Sequence, residues 1–466
     1  MASKRLWSIV AAAIVLCSCL VLITVGLVAA RGWVWPAFPG PSTVETPGPT
    51  AVGLATATAT SIPAATPPPA LSADVRAEMD QIQDEVVSLR GLNPTGPVDR
   101  TLLTPDELRQ RVLDGFLDDY SQEEAEDDAR LLALLGLLEP GFDLWTLYLD
   151  LYSEQIAGYY DAEVRQMFVV AGSGFGGPER ETYAHEYVHA LQDQNYDIGE
   201  GLDFSDEACE AEGERCAAIQ ALLEGDASRL ESQWLRTYAT AEDREQIQEF
   251  YGAFDSPVFT GAPEFLQQDF LFPYVQGLGF VTELALEGDW AAVDAAYANP
   301  PVSTEQILHP ERYPDDVPTL LEVPELPTAL GEAFREIDRD TLGEWYTRLV
   351  LQRYLPDRTA EDAAEGWGGD YYLAFYDGQA GQGALVLATR WDTFVDAQES
   401  FAALLDYGDA RFGGRVSFTP YLARWSTSGA YSLLERSSDQ TLWILAPSED
   451  AVNALRQAVP FPARMQ

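Results

Sequence analysis

Two of the three histidines in this 466-residue chain stand four residues apart, in the pentapeptide HEYVH at residues 185–189. On a helix, residues four apart lie on the same face, so the imidazoles of His185 and His189 can both reach one metal ion. Glu186 lies beside them, where its carboxylate can take a proton from a water molecule on that metal. The spacing therefore predicts a zinc-dependent hydrolytic site.

The residues around the pentapeptide favour a buried helix. Its uncharged neighbours are Tyr183, Ala184, Tyr187, Val188, Ala190 and Leu191. Such a helix packs into a core, whereas a chance match on a surface helix would have charged residues at several of these positions. Pro178 should open the helix, because proline suits the first helical position.

A hydrolytic zinc site takes three protein ligands and leaves one position for water, so another ligand is required. Glu224 lies 35 residues after the pentapeptide, in a segment (213–234) whose apolar residues recur at helical spacing. It projects next to the apolar stripe, where a carboxylate needs a partner. Gly225 beside it permits close approach of another backbone. Glu224 is the predicted third ligand, with Asp226 and Glu210 as alternatives.

Helices and a strand pair must position these residues. Upstream of the pentapeptide, helices are predicted at 72–89, from an N-cap at Thr104, at 120–138 and at 143–157. Two short strands are predicted at 158–161 and 167–170, around a turn at 162–163. Downstream, helices are predicted at 240–252 and 273–297.

The pattern changes near Pro324. Strands are predicted at 371–376, 383–389, 429–435 and 441–445, with helices at 340–354, 393–405 and 448–458. This is a separate α+β module, and the whole chain is predicted to be α+β and mostly helical. The predicted domains are an anchor (1–31), a stalk (32–70), the domain carrying the pentapeptide (71–325) and the C-terminal α+β domain (326–466).

The N-terminus predicts a membrane anchor. Lys4 and Arg5 precede an uncharged apolar run at 6–30, which spans ~37 Å as a helix and is too long for a cleaved signal peptide. The positive flank stays in the cytoplasm, so the rest of the chain is expected outside the cell membrane. Lipidation at Cys17 or Cys19 is the alternative. The following stretch to residue 70, rich in Pro, Thr and Ala, predicts an extended, disordered stalk.

The formal charge of −47 excludes nucleic acid as a partner, because such a surface repels polyanions. Only Cys209 and Cys216 remain beyond the anchor, and a pair in an oxidising compartment suggests a disulfide. On one straight helix they would lie ~10.5 Å apart, too far to bridge. The bond therefore requires a loop or helix start near Gly213, and two free buried cysteines are the alternative.

A family resemblance adds to these observations. The HExxH helix followed by a glutamate ligand on a second helix resembles the gluzincin class of zinc metallopeptidases. The wider chain is similar to uncharacterised bacterial membrane-anchored HExxH proteins. The similar stretches are YSEQIAGYYDAEVRQMFVV (152–170), HEYVHALQDQ (185–194), LLEGDA (222–227) and PVSTEQILHPERY (301–313).

The resemblance implies a zincin-like metallopeptidase domain and a set of roles. Glu186 would take the proton of a zinc-activated water and later pass it to the leaving amine. The tetrahedral oxyanion needs a further donor, for which His309 and Tyr160 (or Tyr159) are the candidates. A histidine before proline, as at 309, more often packs or caps a turn.

Two details of the resemblance concern the support of the site. Gluzincins often carry an aspartate four residues after the glutamate ligand, which orients a histidine, but this chain has Ser228 there. Asp193, one turn past His189, is the predicted substitute. The strand Met167–Val170 would suit a sheet edge that binds an extended peptide by strand addition.

The leading hypothesis is a membrane-tethered, extracytoplasmic zinc metallopeptidase that acts on protein or peptide substrates. The alternative is a surface-anchored binding or scaffold protein with a structural or vestigial zinc site. Glu186 favours the enzyme, because a structural site needs no base to activate water. Peptide deformylase also uses HExxH, but it would need a cysteine ligand upstream, and the only upstream cysteines lie in the predicted anchor.

Overall fold

A computed structural model describes residues 71–155, 158–162, 164–170, 174–326 and 329–461. The predicted anchor (1–31) and stalk (32–70) lie outside these residues. Across the described ranges, no helix combines the length and the apolar character needed to cross a bilayer.

The prediction of a mostly helical chain behind a transmembrane helix is wrong for the part that the structure describes. Helices and sheet share this part, and the C-terminal region from residue 335 onwards is organised on a seven-stranded sheet. Sequence periodicity identified four of these strands. The other three are short or rich in charged residues, so that only the ladder hydrogen bonds of the assembled sheet reveal them.

The first part of the described chain, up to residue 326, is helical around one small sheet. Its strands are β1 (Asp99–Leu103), β2 (Gly158–Asp161) and β3 (Gln166–Val170). Its helices are α1 (Ala73–Arg90), α2 (Pro105–Asp119), α3 (Gln122–Leu135), α4 (Leu144–Gln155), α5 (Gly177–Tyr196), α6 (Asp206–Ala211), α7 (Gly213–Thr237), α8 (Ala241–Ala253), α9 (Pro257–Gly261), α10 (Glu264–Gly288), α11 (Trp290–Ala298) and α12 (Thr304–Leu308), followed by a 3-10 turn at Pro310–Arg312.

The small sheet has the order β1-β3-β2. The strand β3 pairs in parallel with β1 and antiparallel with β2, so the predicted β2–β3 hairpin is confirmed. Because β3 lies between two strands, the expectation that Met167–Val170 is a free edge for peptide addition is wrong. Strand β1, which was not predicted, covers the second edge of β3. Its last residue directly precedes Thr104, the N-cap of α2.

Helix α5 carries the HExxH pentapeptide through the middle of this part. Every residue from Glu181 to Asp193 is buried. Its apolar side chains share a core with Met79 and Val86 of α1 and with Leu230 of α7. The uncharged neighbours of the histidines therefore face protein on several sides, as their composition predicts.

A disulfide joins Cys209 and Cys216, with their Cα atoms 5.4 Å apart. The first cysteine belongs to α6 and the second to the first turn of α7, on either side of the break at Glu212. The predicted bond and the predicted helix start at Gly213 are confirmed. The cross-link holds the beginning of the helix that carries Glu224.

Two glycines let α7 and α10 come into backbone contact. A Cβ atom on Gly225 would collide with the carbonyl of Gly277, and one on Gly277 would collide with the carbonyl oxygen of Ala221. The close approach inferred for Gly225 from sequence is confirmed. It brings the middle of α10 against the turn of α7 that carries Glu224.

The C-terminal sheet is antiparallel throughout, with the order β4-β5-β6-β10-β9-β8-β7. Its strands are β4 (Arg335–Asp340), β5 (Trp367–Asp377), β6 (Gln382–Trp391), β7 (Ser417–Thr419), β8 (Leu422–Ser426), β9 (Tyr431–Ser437) and β10 (Gln440–Ala446). Its helices are α13 (Gly343–Gln352), α14 (Asp357–Ala364), α15 (Phe394–Phe412) and α16 (Glu449–Ala458).

One continuous core joins this sheet to the helical part. Leu132 of α3, Phe272 of α10 and Trp443 of β10 belong to the same buried apolar cluster. Buried polar contacts cross the same boundary, since the Tyr407 hydroxyl donates to the carbonyl of Leu135 at 2.6 Å. The C-terminal part therefore packs against both α3 and α10, and it contacts α10 through Trp345 of α13.

We expect Gly277→Ala to destabilise the protein by at least ~1–3 kcal/mol, since the added methyl group collides with backbone that cannot rotate away. Gly279→Ala is the matched control. Gly279 lies on the same helix, and a Cβ atom there would meet nothing within 4 Å. That control should raise stability by ~0.5–1 kcal/mol through the better helix propensity of alanine. Urea unfolding curves of both variants test this, and equal midpoints would contradict the backbone contact.

Candidate metal centre

Helices α5 and α7 bring three potential ligands together. One ligand atom each from His185, His189 and Glu224 lies within 4.8 Å of the other two. The Glu224 Oε2 atom is 3.1 Å from His185 Nε2 and 3.5 Å from His189 Nε2. The residues predicted from the HExxH spacing and from the apolar stripe of α7 thus meet in one place.

The centre lies in the interior. The exposed fractions are 2% for His185, 3% for His189, 2% for Glu186 and 0% for Glu224. In such surroundings a charge or an unpaired lone pair costs far more free energy than at the surface. The polar atoms of these residues therefore need partners.

Each histidine is oriented by a second side chain. The Nδ1 atom of His185 lies 2.9 Å from Glu231 Oε2, and that of His189 lies 2.8 Å from Gln192 Oε1. Both partners are acceptors, so we assign the ring proton of each histidine to Nδ1. The Nε2 lone pairs then point at Glu224.

Asp193, the predicted histidine partner, plays another part. Its Oδ2 atom accepts a hydrogen bond from the Tyr160 hydroxyl at 2.9 Å. The residues that orient the histidines are Glu231, seven positions after Glu224, and Gln192, three positions after His189. The spacing of Gln192 within one turn of α5 could have indicated it, whereas the position of Glu231 depends on how α7 crosses α5.

The arrangement fits a divalent cation. Two Nε2 lone pairs and one carboxylate oxygen converge, and His189 Nε2 is a buried atom with no hydrogen-bond partner among the described residues. Three acceptors without a donor repel one another in a low-dielectric interior. A nitrogen and oxygen donor set of two histidines and one glutamate is the composition of hydrolytic zinc sites.

The pKa shifts of the three potential ligands also indicate that the centre favours positive charge. Burial disfavours the Glu224 carboxylate, yet His189 and His185 outweigh it and lower the pKa of Glu224 to about 2. Burial also opposes the charged histidines, but hydrogen bonds to Glu224 and Glu231 raise the pKa of His185 well above its ordinary value. The pKa of His189 is raised as well, against burial, by the Glu224 charge.

Glu186 stands next to the triad, and the small sheet holds it there. Its Oε2 atom accepts a hydrogen bond from the backbone N–H of Tyr160 in β2, at 3.0 Å. Burial raises the pKa of Glu186 to about 7, although both histidines pull it down. A carboxyl group with a pKa near neutrality is suited to take and return a proton.

The predicted oxyanion donors are placed differently from expectation. His309 follows α12, and its Nε2 atom lies 2.9 Å from Glu344 Oε1 on α13. Among the described residues, the partners of its side chain are glutamates outside the centre, Glu344 and Glu311. Tyr160 contacts Glu186 through its backbone, since its hydroxyl is bound to Asp193, and the Tyr159 hydroxyl accepts from Arg111.

One tyrosine that lies at the centre, Tyr274, was not predicted from the sequence. The Tyr274 hydroxyl donates to Glu224 Oε1 at 3.3 Å, and its ring centre lies 6.5 Å from that of His185. Because the Tyr274 hydroxyl binds Oε1, the other oxygen of Glu224, Oε2, faces the two histidines. Tyr274 sits in an apolar stretch of α10 that carries no motif, so only the contact between α7 and α10 reveals it.

The alternative ligands are engaged elsewhere. The Asp226 carboxylate binds Arg90 through both oxygens, at 2.8 and 3.0 Å. Glu210 lies half-buried in α6, in the short helix before the disulfide break. Neither belongs to the group of converging ligand atoms.

A second acidic group comprises Glu305, Asp316 and Asp392. The Nη1 atom of Arg312 lies 3.3 Å from Asp392 Oδ2 and 3.9 Å from Asp316 Oδ2, and it also bonds Glu305. The guanidinium supplies the positive charge that these carboxylates need. This group is a salt-bridge network around Arg312.

Comparisons with known proteins bear on the C-terminal part alone. Residues 331–456, which cover the seven-stranded sheet and its helices, are similar to a family described as a domain of unknown function, DUF8575. No curated protein matches the chain. No solved structure matches it either.

We expect removal of a bound cation to destabilise the protein more at pH 8.5 than at pH 6. Without the cation, His185 and His189 have raised pKa values, so their protons stabilise the fold below pH 6.5, the ordinary histidine value. That contribution is lost as pH rises through the raised values. Glu186 acts in the same direction between its ordinary value of 4.5 and about 7. Glu224, with its pKa of about 2, adds no slope above pH 4.5.

The measurement is urea unfolding of chelator-treated and zinc-loaded protein at both pH values. The difference in unfolding free energy between the two forms should grow by ~1–3 kcal/mol from pH 6 to pH 8.5. The His309→Gln variant should show the same growth, since His309 lies outside the centre. A difference that stays constant or shrinks would show that the histidines do not hold the protons.

Proposed function

We propose that the chain is a zinc-dependent metallopeptidase that cleaves protein or peptide substrates. The observation that carries the proposal is the convergence of His185 Nε2, His189 Nε2 and a Glu224 carboxylate oxygen beside the Glu186 carboxylate. Three ligands with a base next to them are the parts of a hydrolytic zinc site. A bound zinc ion would supply Lewis acidity, lowering the pKa of water and polarising a carbonyl group.

Glu186 is the proposed general base. The backbone N–H of Tyr160 donates to one carboxylate oxygen of Glu186, and it is the one hydrogen-bond donor to that carboxylate among the described residues. The other oxygen is then available to take a proton from a water molecule and return it to a leaving amine. Its raised pKa suits this exchange, because the protonated and ionised forms are close in free energy near pH 7.

The other residues of the centre bind and orient. Glu231 and Gln192 hold the two imidazoles with their Nε2 atoms turned inwards. Tyr274 holds Glu224 through its second oxygen and places a phenol at the rim of the ligand set. His309 no longer has a place in the proposed mechanism, since its contacts lie on α13.

We further propose an extracytoplasmic location for the domain. The disulfide between Cys209 and Cys216 supports it, because such bonds persist in oxidising compartments and are rare in the cytosol. The acidic composition fits a soluble, exposed domain and disfavours nucleic acid as a partner.

A binding or scaffold protein with a structural zinc site is the second candidate, and one observation favours it. The ligands and Glu186 are all at most 3% exposed, as in a closed site. A closed structural site, however, has four protein ligands and needs no base. Glu186 therefore favours the metallopeptidase over the scaffold.

We expect Glu186→Gln to keep one zinc per chain and to lose at least ~100-fold in cleavage of an unstructured protein substrate, because the amide cannot take a proton. Zinc content is measured by metal analysis and cleavage by a quenched-fluorescence peptide library. Glu287→Gln on the exposed end of α10 removes the same charge away from the centre and should leave both unchanged.

The outcomes separate the candidates. Zinc-free protein after purification without chelators would overturn the metal centre itself. Full zinc occupancy with no cleavage by the unaltered protein across the library would favour the scaffold. Equal cleavage by the unaltered protein and the Glu186→Gln variant would remove the glutamate from the mechanism.

A further inference from the structure

The first described helix, α1, ends in a buried arginine. Arg90 is 1% exposed, and its Nε and Nη2 atoms donate to the two oxygens of Asp226 at 2.8 and 3.0 Å. Its Nη1 atom donates to Asp294 at 2.7 Å, and its guanidinium carbon lies 4.5 Å from the centre of the Trp290 ring. A paired charge held this firmly in the interior fixes its partner as well.

Asp226 in turn constrains Gln192. Its Oδ2 atom accepts from Gln192 Nε2 at 3.2 Å, and the same nitrogen donates to the carbonyl of Leu223 at 3.0 Å. The two amide hydrogens thus have two acceptors, which sets which way the amide faces. The Gln192 Oε1 atom is directed to His189 Nδ1, 2.8 Å away.

We propose that Arg90 is a positioning residue of the metal centre, which holds Asp226 and Gln192 so that His189 presents its Nε2 lone pair to the ligand site. The inference rests on the proposed metal centre. It assigns to α1, an element without any ligand, a part in the affinity of that centre for zinc.

The role of Arg90 depends on the fork formed by its two N–H donors, Nε and Nη2, which hold both oxygens of Asp226. The Tyr297 hydroxyl also donates to Asp226 Oδ2, at 2.8 Å. Without the fork the carboxylate can rotate away from the Gln192 amide. A flipped amide would present its NH₂ group to His189 Nδ1, which moves the ring proton to Nε2 and removes the lone pair that binds metal.

Arg90→Lys is the test variant, because it keeps the charge and removes the fork. We expect its zinc dissociation constant, measured by competition with a chromophoric chelator, to rise ~10–100-fold, as for other partners of ligating histidines. Gln192→Leu should weaken zinc binding to a similar extent. Adding Arg90→Lys to Gln192→Leu should change the dissociation constant by less than ~2-fold, because without the Gln192 amide Arg90 can no longer act on His189.

Arg456→Lys is the matched control. It makes the same substitution at another arginine that pairs with a buried carboxylate, Glu435 on the C-terminal sheet. It should lower stability and leave the zinc constant unchanged. An Arg90→Lys protein with the stability loss of the control and an unchanged zinc constant would overturn the proposal, as would full additivity with Gln192→Leu.

Ring-nitrogen NMR of histidine-labelled protein gives a readout that does not depend on zinc or cleavage. The chain has three histidines, so their signals can be assigned by substitution. At a pH high enough for the His189 ring to be neutral, Arg90→Lys should shift its signals towards the other tautomer and leave those of His309 in place. If the unaltered protein binds no zinc, the proposed function fails, while this shift still supports the role of Arg90. An unchanged His189 spectrum overturns that role.

Discussion

The structure depends on the convergence of three buried acceptors between α5 and α7. Two imidazole lone pairs and a carboxylate oxygen face one another at most 4.8 Å apart, on residues that are at most 3% exposed. In a low-dielectric interior this arrangement is stable only with a positive charge among them, either protons or a metal cation. The residues around the centre serve that constraint: Glu231 and Gln192 turn the rings, Tyr274 holds the far oxygen of the glutamate, and the backbone of β2 holds the base.

Each support comes from a different element, so the centre exists only when several packings are correct together. Gly225 and Gly277 allow α10 to touch α7, which delivers Tyr274 to Glu224. The disulfide at the start of α7 limits how far that helix can move, and the C-terminal part packs against α3 and α10. A ligand set assembled in this way is preorganised, since its side chains cannot relax independently of the fold.

Much of the helical part could be predicted from sequence, because amphipathic spacing and capping residues are local signals. Thr104 caps α2 as predicted, and the predicted helix at 72–89 is present as α1, with Ser72 as its N-cap. The strands of the C-terminal sheet were harder. Strand β4, with the sequence REIDRD, buries only Ile337 and Asp338, and β7 is three exposed residues long. Such edge strands are defined by hydrogen bonds to a neighbour, which leave no periodic trace in the chain.

The sequence by itself indicated the candidate ligands and the proposed base. Helical spacing places His185 and His189 on one face of one helix with Glu186 beside them, and a glutamate next to an apolar stripe needs a partner. It also suggested the disulfide, on condition that a helix starts near Gly213, but left free cysteines as the alternative, and the structure contains the bond. Only the tertiary structure decided which groups orient the ligands. Glu231, Tyr274 and Arg90 come from helices distant in sequence, and their contacts depend on crossing angles and backbone separation. It also removed His309 and the side chain of Tyr160 from the centre, since a residue type suited to the chemistry contributes only where the packing brings it.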